Sequence, residues 1–410
     1  MLTWEFPPRI VGGLSTHVAG LSRALAAMGH RIHVLTVGQP EAPTEAWVDG
    51  VHVLRVPSPL PPTEPAGLIP WVVRFNTDLL DPGVDLLGTE GFDLIHAHDW
   101  LVAPAAIGLS GLCRRPLVAT IHATERGRHQ GYLPGPENEV IHRIERWLVE
   151  GADRLIACSR FMAGQLWREF DTSSLKVDVI PNGTVVPHAP RRPVHGYGAR
   201  RSPEERLILF VGRLEFEKGV QTLLEALPAV HAQVPVRLLI AGTGTYEPCL
   251  RDRVRCSELS ERVHFLGFCP QEQLHVVRAA ADLCVVPSLY EPYGMAAVEA
   301  MAAGVPCIAA HTGGLAEVIS PGRTGLLFRP GDPATLAAQM IRVLSQPDLA
   351  RTLAEGGRRE AATRFGWGSV ARATIAAYGR IVGGASAVLR QGNGHAARGV
   401  VGGRLAEFTT

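Results

Sequence analysis

A short apolar run, Leu283-Cys284-Val285-Val286, leads into an acid-bearing loop and then a helix of small residues, and this stretch constrains the chain more than any other. Bounded by Asp282 and Pro287, the run fits a strand buried on both faces of a parallel sheet. Glu291 then falls just past a strand's carboxyl end, where open α/β sheets place their ligand chemistry. Pro292 and Gly294 hold a tight loop, and Met295 to Ala303 is strongly helix-forming, so free N–H groups at the helix start face an anion or a hydroxyl. Glu299 lies at least a turn inside that helix. The two carboxylates therefore address different parts of an extended ligand, whereas a hydrolytic pair must sit ~5–10 Å apart across one glycosidic bond. Cys307 to Ala310 forms the next strand and delivers Thr312-Gly313-Gly314 at its end.

The same strand, loop and helix unit recurs throughout. In the first half, residues 2–6 end a strand, Pro7 to Gly13 is a loop, Ser15 to Met28 is an amphipathic helix, and Arg31 to Val37 is a strand. Gly12-Gly13 lets the backbone approach a phosphate, but G-x-G-x-x-G is missing, which weakens a dinucleotide reading. Only Met1 to Glu5 precede the loop, short for a central strand, so we expect a few apolar residues upstream of Met1. Residues 57–70 carry six prolines and read as an exposed loop, followed by a helix near Trp71 to Leu80. Phe92 to Ala97 and Leu117 to Ile121 are strands ending in His96-Ala-His-Asp99-Trp and in His122. Asp99 either belongs to a site or caps the following helix. Glu125 to Glu137 reads as a mobile active-site loop. Helices over 140–149 and 161–169 and strands over 154–159 and 177–181 complete this half.

A linker over 184–205, with four arginines, four prolines and two glycines, separates the halves. Leu207 to Val211 opens a second sheet, and Arg213 and Lys218 in G-R-L-E-F-E-K-G bracket the turn before the helix Val220 to His231. Cations at a helix amino end oppose its dipole unless a polyanion such as a diphosphate sits between them. Strands over 237–241, 263–266 and 325–328 and helices over 271–281 and 332–344 follow. Residues 365–382 are partly in helical register, and 383–410, with seven glycines, read as a disordered tail.

A formal charge of +1 removes any bulk electrostatic case for nucleic acid, and no apolar stretch approaches the ~20 residues that cross a bilayer. No secretory leader is evident, and seven cysteines without a C-x-x-C fit reduced thiols in a cytoplasmic protein.

The E-x7-E spacing of Glu291 and Glu299, with W-E-F-P-P, R-I-V-G-G-L, H-A-H-D-W, T-I-H-A-T-E, G-R-x4-K-G and T-G-G in this order, resembles retaining GT-B glycosyltransferases of family 4 and the glycogen and starch synthases. The resemblance covers residues 1–380 and implies an α/β fold of two facing Rossmann-like domains with a cleft between them. These would be residues 1–183 for the acceptor and 206–364 for the nucleotide sugar, with a helix over 365–382 crossing back. It further implies that Glu291, with the backbone of Gly294 and Met295, grips the donor sugar and that Glu299 binds the ribose. By the same likeness Arg213 and Lys218 clamp the diphosphate, Thr312, Gly313 and Gly314 touch sugar and phosphate, and Gly12 and Gly13 lie near the donor. His122 would reach the sugar's 6-hydroxyl, and Asp99 would face the acceptor.

The implied reaction moves a glucosyl unit from a nucleoside-diphosphate sugar, ADP- or UDP-glucose, to a glucan or maltosaccharide, as in the glycogen synthase type. No Asp-x-Asp motif serves the diphosphate, so no metal and no cofactor is expected, and activity should survive chelator. A lipid-linked or small-molecule acceptor, a sugar-nucleotide epimerase and a silent nucleotide-sugar binder remain alternatives.

Overall fold

The computed structural model describes residues 1–62, 67–186, 204–256 and 260–392, with 383–392 as backbone only. The expected linker falls largely on residues 187–203, which lie outside this set, as do 393–410 of the expected tail.

The first half is one sheet. Strands β1 (Ile32–Val37), β2 (Glu45–Val48) and β3 (Val51–Val56) pair in the order β1-β3-β2, and β4 (Ile95–His98), β5 (Leu117–Ile121), β6 (Arg154–Ala157) and β7 (Val177–Val179) pair in sequence order. Leu2 joins the two sets by bridging to Leu35 on one side and Ala97 on the other. The chain's first residues therefore occupy the centre of the sheet, reduced to a single bridging residue. All pairings are parallel except β2 with β3, a hairpin turned by Asp49 and Gly50, both at positive φ. Aspartate followed by glycine suits that turn, because both residues tolerate left-handed backbone. The sequence reading did not include this hairpin.

The second half is a fully parallel sheet. Strands β8 (Arg206–Val211), β9 (Val236–Ala241), β10 (Val263–Gly267), β11 (Leu283–Val286), β12 (Cys307–Ala310) and β13 (Leu326–Phe328) lie in the order β10-β9-β8-β11-β12-β13. Every residue of β11 and β12 is buried, as unbroken apolar runs between helices on both faces require.

Each sheet reverses direction once, and the reversals position the site. In the first half strands are added one way from the Leu2 segment to β1 and the other way to β4; in the second, one way from β8 to β9 and the other way to β11. Crevices open at such reversals beyond the strands' carboxyl ends. The loop holding Gly12-Gly13 and the residue Asp99 flank the first, and the Arg213–Lys218 turn and Glu291 flank the second.

The halves are bonded to each other. Ser159 Oγ donates to the Pro292 carbonyl (2.6 Å), Tyr293 Oη to the Asn182 carbonyl (2.8 Å) and Tyr290 Oη to Gln165 Oε1 (3.0 Å). The backbone N–H groups of Arg160 and Phe161 donate to the Glu317 carboxylate at 3.0 and 2.8 Å.

The closing helix Trp367–Gly392 returns to the first half, where Val370, Ala371 and Ala377 bury against Leu21, Leu25, Val118, Ile156 and Ile180. It continues past residue 382, so the backbone over 383–392 is helical rather than an irregular tail. Another correction concerns Glu125 to Glu137. Glu125–Arg128 is a helical turn, capped by Thr124 and tied down where the Glu125 N–H donates to Glu145 Oε1 (2.7 Å), so the segment is not a free loop.

Trp367 fits between Gly20 and Gly183: a Cβ would lie 2.1 Å from its indole at Gly20 and 2.4 Å at Gly183. We expect Gly20→Ala to force the closing helix off its seat and to cost about 1–3 kcal/mol in urea unfolding. Unchanged stability would show that the ring has room to move.

Candidate functional site

At the second reversal the chain approaches itself so closely that only glycine fits. Gly219, at φ 71°, would place a Cβ 1.9 Å from the Pro287 carbonyl oxygen, so the turn after β8 lies directly on the end of β11. This brings Lys218 Nζ to 2.8 Å from Glu291 Oε2, with both side chains largely buried. Ser288 Oγ donates to the same carboxylate oxygen (3.2 Å). Arg213 stays half exposed, with Nη2 3.3 Å from Glu217 Oε1. Each cation of the turn therefore holds a carboxylate, and an incoming diphosphate would exchange with these partners.

Gly294, at φ 111°, opens the helix Met295–Ala302. Glu299 on that helix accepts from Arg278 Nη2 (2.6 Å), and Arg278 is buried. Glu291 and Glu299 thus answer to different cations on different elements. Thr312, Gly313 and Gly314 brace the acid loop: Thr312 Oγ1 donates to the Leu289 carbonyl (3.2 Å), the Gly314 N–H donates to the Glu291 carbonyl (2.9 Å), and a Cβ on Gly313 would lie 2.1 Å from that carbonyl.

In the first half, the Gly12 amide, one of the two expected near a phosphate, meets a carboxylate of the chain. Glu5 Oε2 accepts from the N–H groups of Val11 (2.7 Å) and Gly12 (3.2 Å). Burial pushes the Glu5 carboxyl up to about 7, opposed by those two amides and by Arg9. Gly13 reaches across the halves, since a Cβ there would lie 3.4 Å from Met295 Cγ.

Asp99 is buried at φ 62°, and its Oδ1 accepts the His122 N–H (2.7 Å). Its side chain makes no hydrogen bond to the following turn; it holds the backbone at His122. Burial raises its carboxyl to about 6, with the Arg128 guanidinium opposing. The His122 ring is pushed down to about 3 by burial and then by Arg128, so at neutral pH it is an uncharged hydrogen-bonding group. Cys158 Sγ points at the His122 and Pro292 carbonyls (3.9 and 3.8 Å), joining the two crevices.

Sequence reasoning missed Glu5, Arg128 and Arg278, together with His17 and His98, whose rings lie 4.7 and 5.8 Å from that of His122. Glu5 sits within W-E-F-P-P and His98 within H-A-H-D-W, so each carried a signal; Arg278 is one cation in an ordinary amphipathic helix and carried none.

Two Rossmann-like halves facing across bonded crevices define a GT-B glycosyltransferase. Residues 11–186 match Glycosyltransferase Family 4 and residues 199–360 match Glycosyl transferases group 1. A glycogen synthase of Mycobacterium tuberculosis is 38% identical over 394 residues, covering 92% of this chain and 93% of the relative. A D-inositol 3-phosphate glycosyltransferase of Frankia alni is 32% identical over 392 residues, covering 90% and 94%. The sucrose-phosphate synthase structure from Thermosynechococcus elongatus superposes with a TM-score of 0.78 at 28% identity, covering 96% and 98%. The chain belongs to the group 1 and family 4 glycosyltransferases.

Glu5 gives a pH signature. Its folded value near 7 lies above the ordinary 4.5, so the folded state holds the extra proton between those limits and stability falls as pH rises through that window. We expect Glu5→Gln to gain stability relative to wild type as pH is raised from 4.5 to 7, with no further gain above. Parallel pH profiles of unfolding for the two proteins would overturn this.

Proposed function

We propose that the chain is a retaining hexosyltransferase of the cytoplasm, moving a glucosyl unit from a nucleoside-diphosphate glucose to the end of a glucan or maltosaccharide. The observation that carries this reading is the Lys218–Glu291 contact at the second reversal, with Arg213 beside it and neutral His122 at the first. The 38% identity to a glycogen synthase supports the glucan acceptor. We assign the acceptor to residues 1–183 and the donor to 206–364.

On this reading the diphosphate lies against Arg213 and Lys218, with the ribose at Glu299. The sugar sits between Glu291, the backbone of Gly294 and Met295, and the His122 ring. The bond from the anomeric carbon to the phosphate oxygen breaks as the acceptor hydroxyl bonds to that carbon on the same face. The hydroxyl proton passes to the departing phosphate oxygen. Charge grows on the diphosphate as it leaves, so fixed cations there lower the barrier most. A second reading, a small phosphorylated acceptor, is favoured by the 32% identity to an inositol phosphate glycosyltransferase.

Incubating ADP-, UDP- and GDP-glucose with glycogen, maltose and inositol phosphate, and reading the product anomer by NMR, decides donor, acceptor and stereochemistry. An inverted product, or transfer to none of them, would sink the proposal. Arg213→Ala or Lys218→Ala should raise the barrier by about 2–4 kcal/mol, seen mainly in kcat, and wild-type turnover in either would remove its role. Activity should persist in EDTA, since the cations take the place of a metal.

A further inference from the structure

We propose that His17, His98 and His122 together form a transition-metal site of the kind zinc takes, and that filling it switches the enzyme off. The three histidines arrive from three elements: His17 from the helix Gly13–Ala27, His98 from the end of β4 and His122 from just past β5. One ring nitrogen from each lies within 4.8 Å of the other two.

Most of the ring nitrogens have no partner in the protein. Both nitrogens of His17, both of His98 and Nε2 of His122 are buried without a hydrogen-bond partner. His96, two residues from His98, shows that the fold satisfies a buried imidazole where it needs one. Its Nδ1 pairs with Tyr378 Oη and its Nε2 with Thr120 Oγ1, both at 2.7 Å. A buried polar atom without a partner is costly, and here one ring nitrogen from each of three such histidines comes together, which calls for an occupant.

The donor set selects that occupant. Burial keeps all three rings below their ordinary protonation range, and the uncharged imidazole is the ligating form. An all-imidazole set suits zinc, copper, nickel and cobalt, and not magnesium or calcium, which take oxygen. Zinc-to-nitrogen bonds of about 2.0–2.1 Å require the rings to draw together somewhat. His17 and His98 can do so without breaking any hydrogen bond, because their rings make none. Three ligands leave a fourth position for water, and His122 is the least buried of the three.

The site is built for reversible rather than permanent occupation. A resident metal's histidines usually donate their second nitrogen to a carbonyl or carboxylate, and neither His17 nor His98 has that support. The Arg128 guanidinium also acts on His122 and opposes a cation. Occupation would fix the His122 ring on the metal and take it from the donor sugar. Only this inhibitory half rests on the proposed transferase activity; the binding half stands on geometry.

The test uses the full chain without an affinity tag. Cobalt(II) titration should give one equivalent with visible bands of a tetrahedral site, and X-ray absorption of the zinc-loaded protein should report three imidazoles and one oxygen. One imidazole or none would overturn the site, whether or not any variant folds. His17→Gln and His98→Gln, checked for folding by circular dichroism, should each weaken zinc binding by more than about tenfold, and His96→Gln should not. Zinc should lower wild-type kcat, reversibly by EDTA, and leave His17→Gln active. Equal inhibition of both would place the inhibitory metal elsewhere. Stoichiometric binding by a chain inactive on every sugar nucleotide would keep the site and discard the transferase reading.

Discussion

The 2.8 Å contact between Lys218 and Glu291 depends on nearly everything else in the second half. A lysine on the turn after β8 meets a glutamate beyond β11 only because those strands are neighbours across the sheet's reversal. The turn can lie on the strand end only because residue 219 has no Cβ to strike the Pro287 carbonyl. The glutamate's own loop is held in turn by Gly313 and Gly314, whose backbones close on residues 291–293. Strand order brings the charges near, and glycine lets them touch.

That loop also joins the halves. The Pro292 carbonyl accepts from Ser159, and the neighbouring tyrosines 290 and 293 donate to Gln165 and to the Asn182 carbonyl. Whatever shifts Glu291 must therefore shift its contacts with the first domain. The closing helix adds a second tie through Trp367 and Tyr378, the latter bonded to His96 in the strand that ends at His98. Relative motion of the halves is thus coupled to both crevices by side chains at their walls.

Most of the strands could be read from the sequence because doubly buried parallel strands are short unbroken apolar runs. Leu117–Ile121, Leu283–Val286 and Cys307–Ala310 have the bounds that their apolar edges predict. The hairpin β2–β3 escaped because Glu45–Val48 alternates weakly and its Asp-Gly signal is a single dipeptide. The family resemblance placed Lys218 and Glu291 at one donor site, but not that the two pair with each other. Glu5 on the Gly12 amide is a contact within one loop and Arg278 on Glu299 a contact between two helices; neither follows a helix or strand period, so residue spacing alone does not reveal the pairing. Asp99 was legible as special and illegible in role, since only the path of the backbone turns its carboxylate towards the His122 amide.

The two crevices handle charge in opposite ways. The second pairs its charged side chains, lysine with glutamate and arginine with glutamate, so an anion entering there would exchange one ionic partner for another without opening a bare charge. The first relies on burial. It drives His122 towards the uncharged form and Asp99 and Glu5 towards protonation, leaving a site that offers hydrogen bonds and little net field. An anion is best held by the former and an uncharged sugar hydroxyl by the latter, because a neutral imidazole recognises a hydroxyl without having to be desolvated as an ion. A nucleotide sugar has both kinds of end, so on the proposed function the asymmetry between the crevices would orient it before any single contact does.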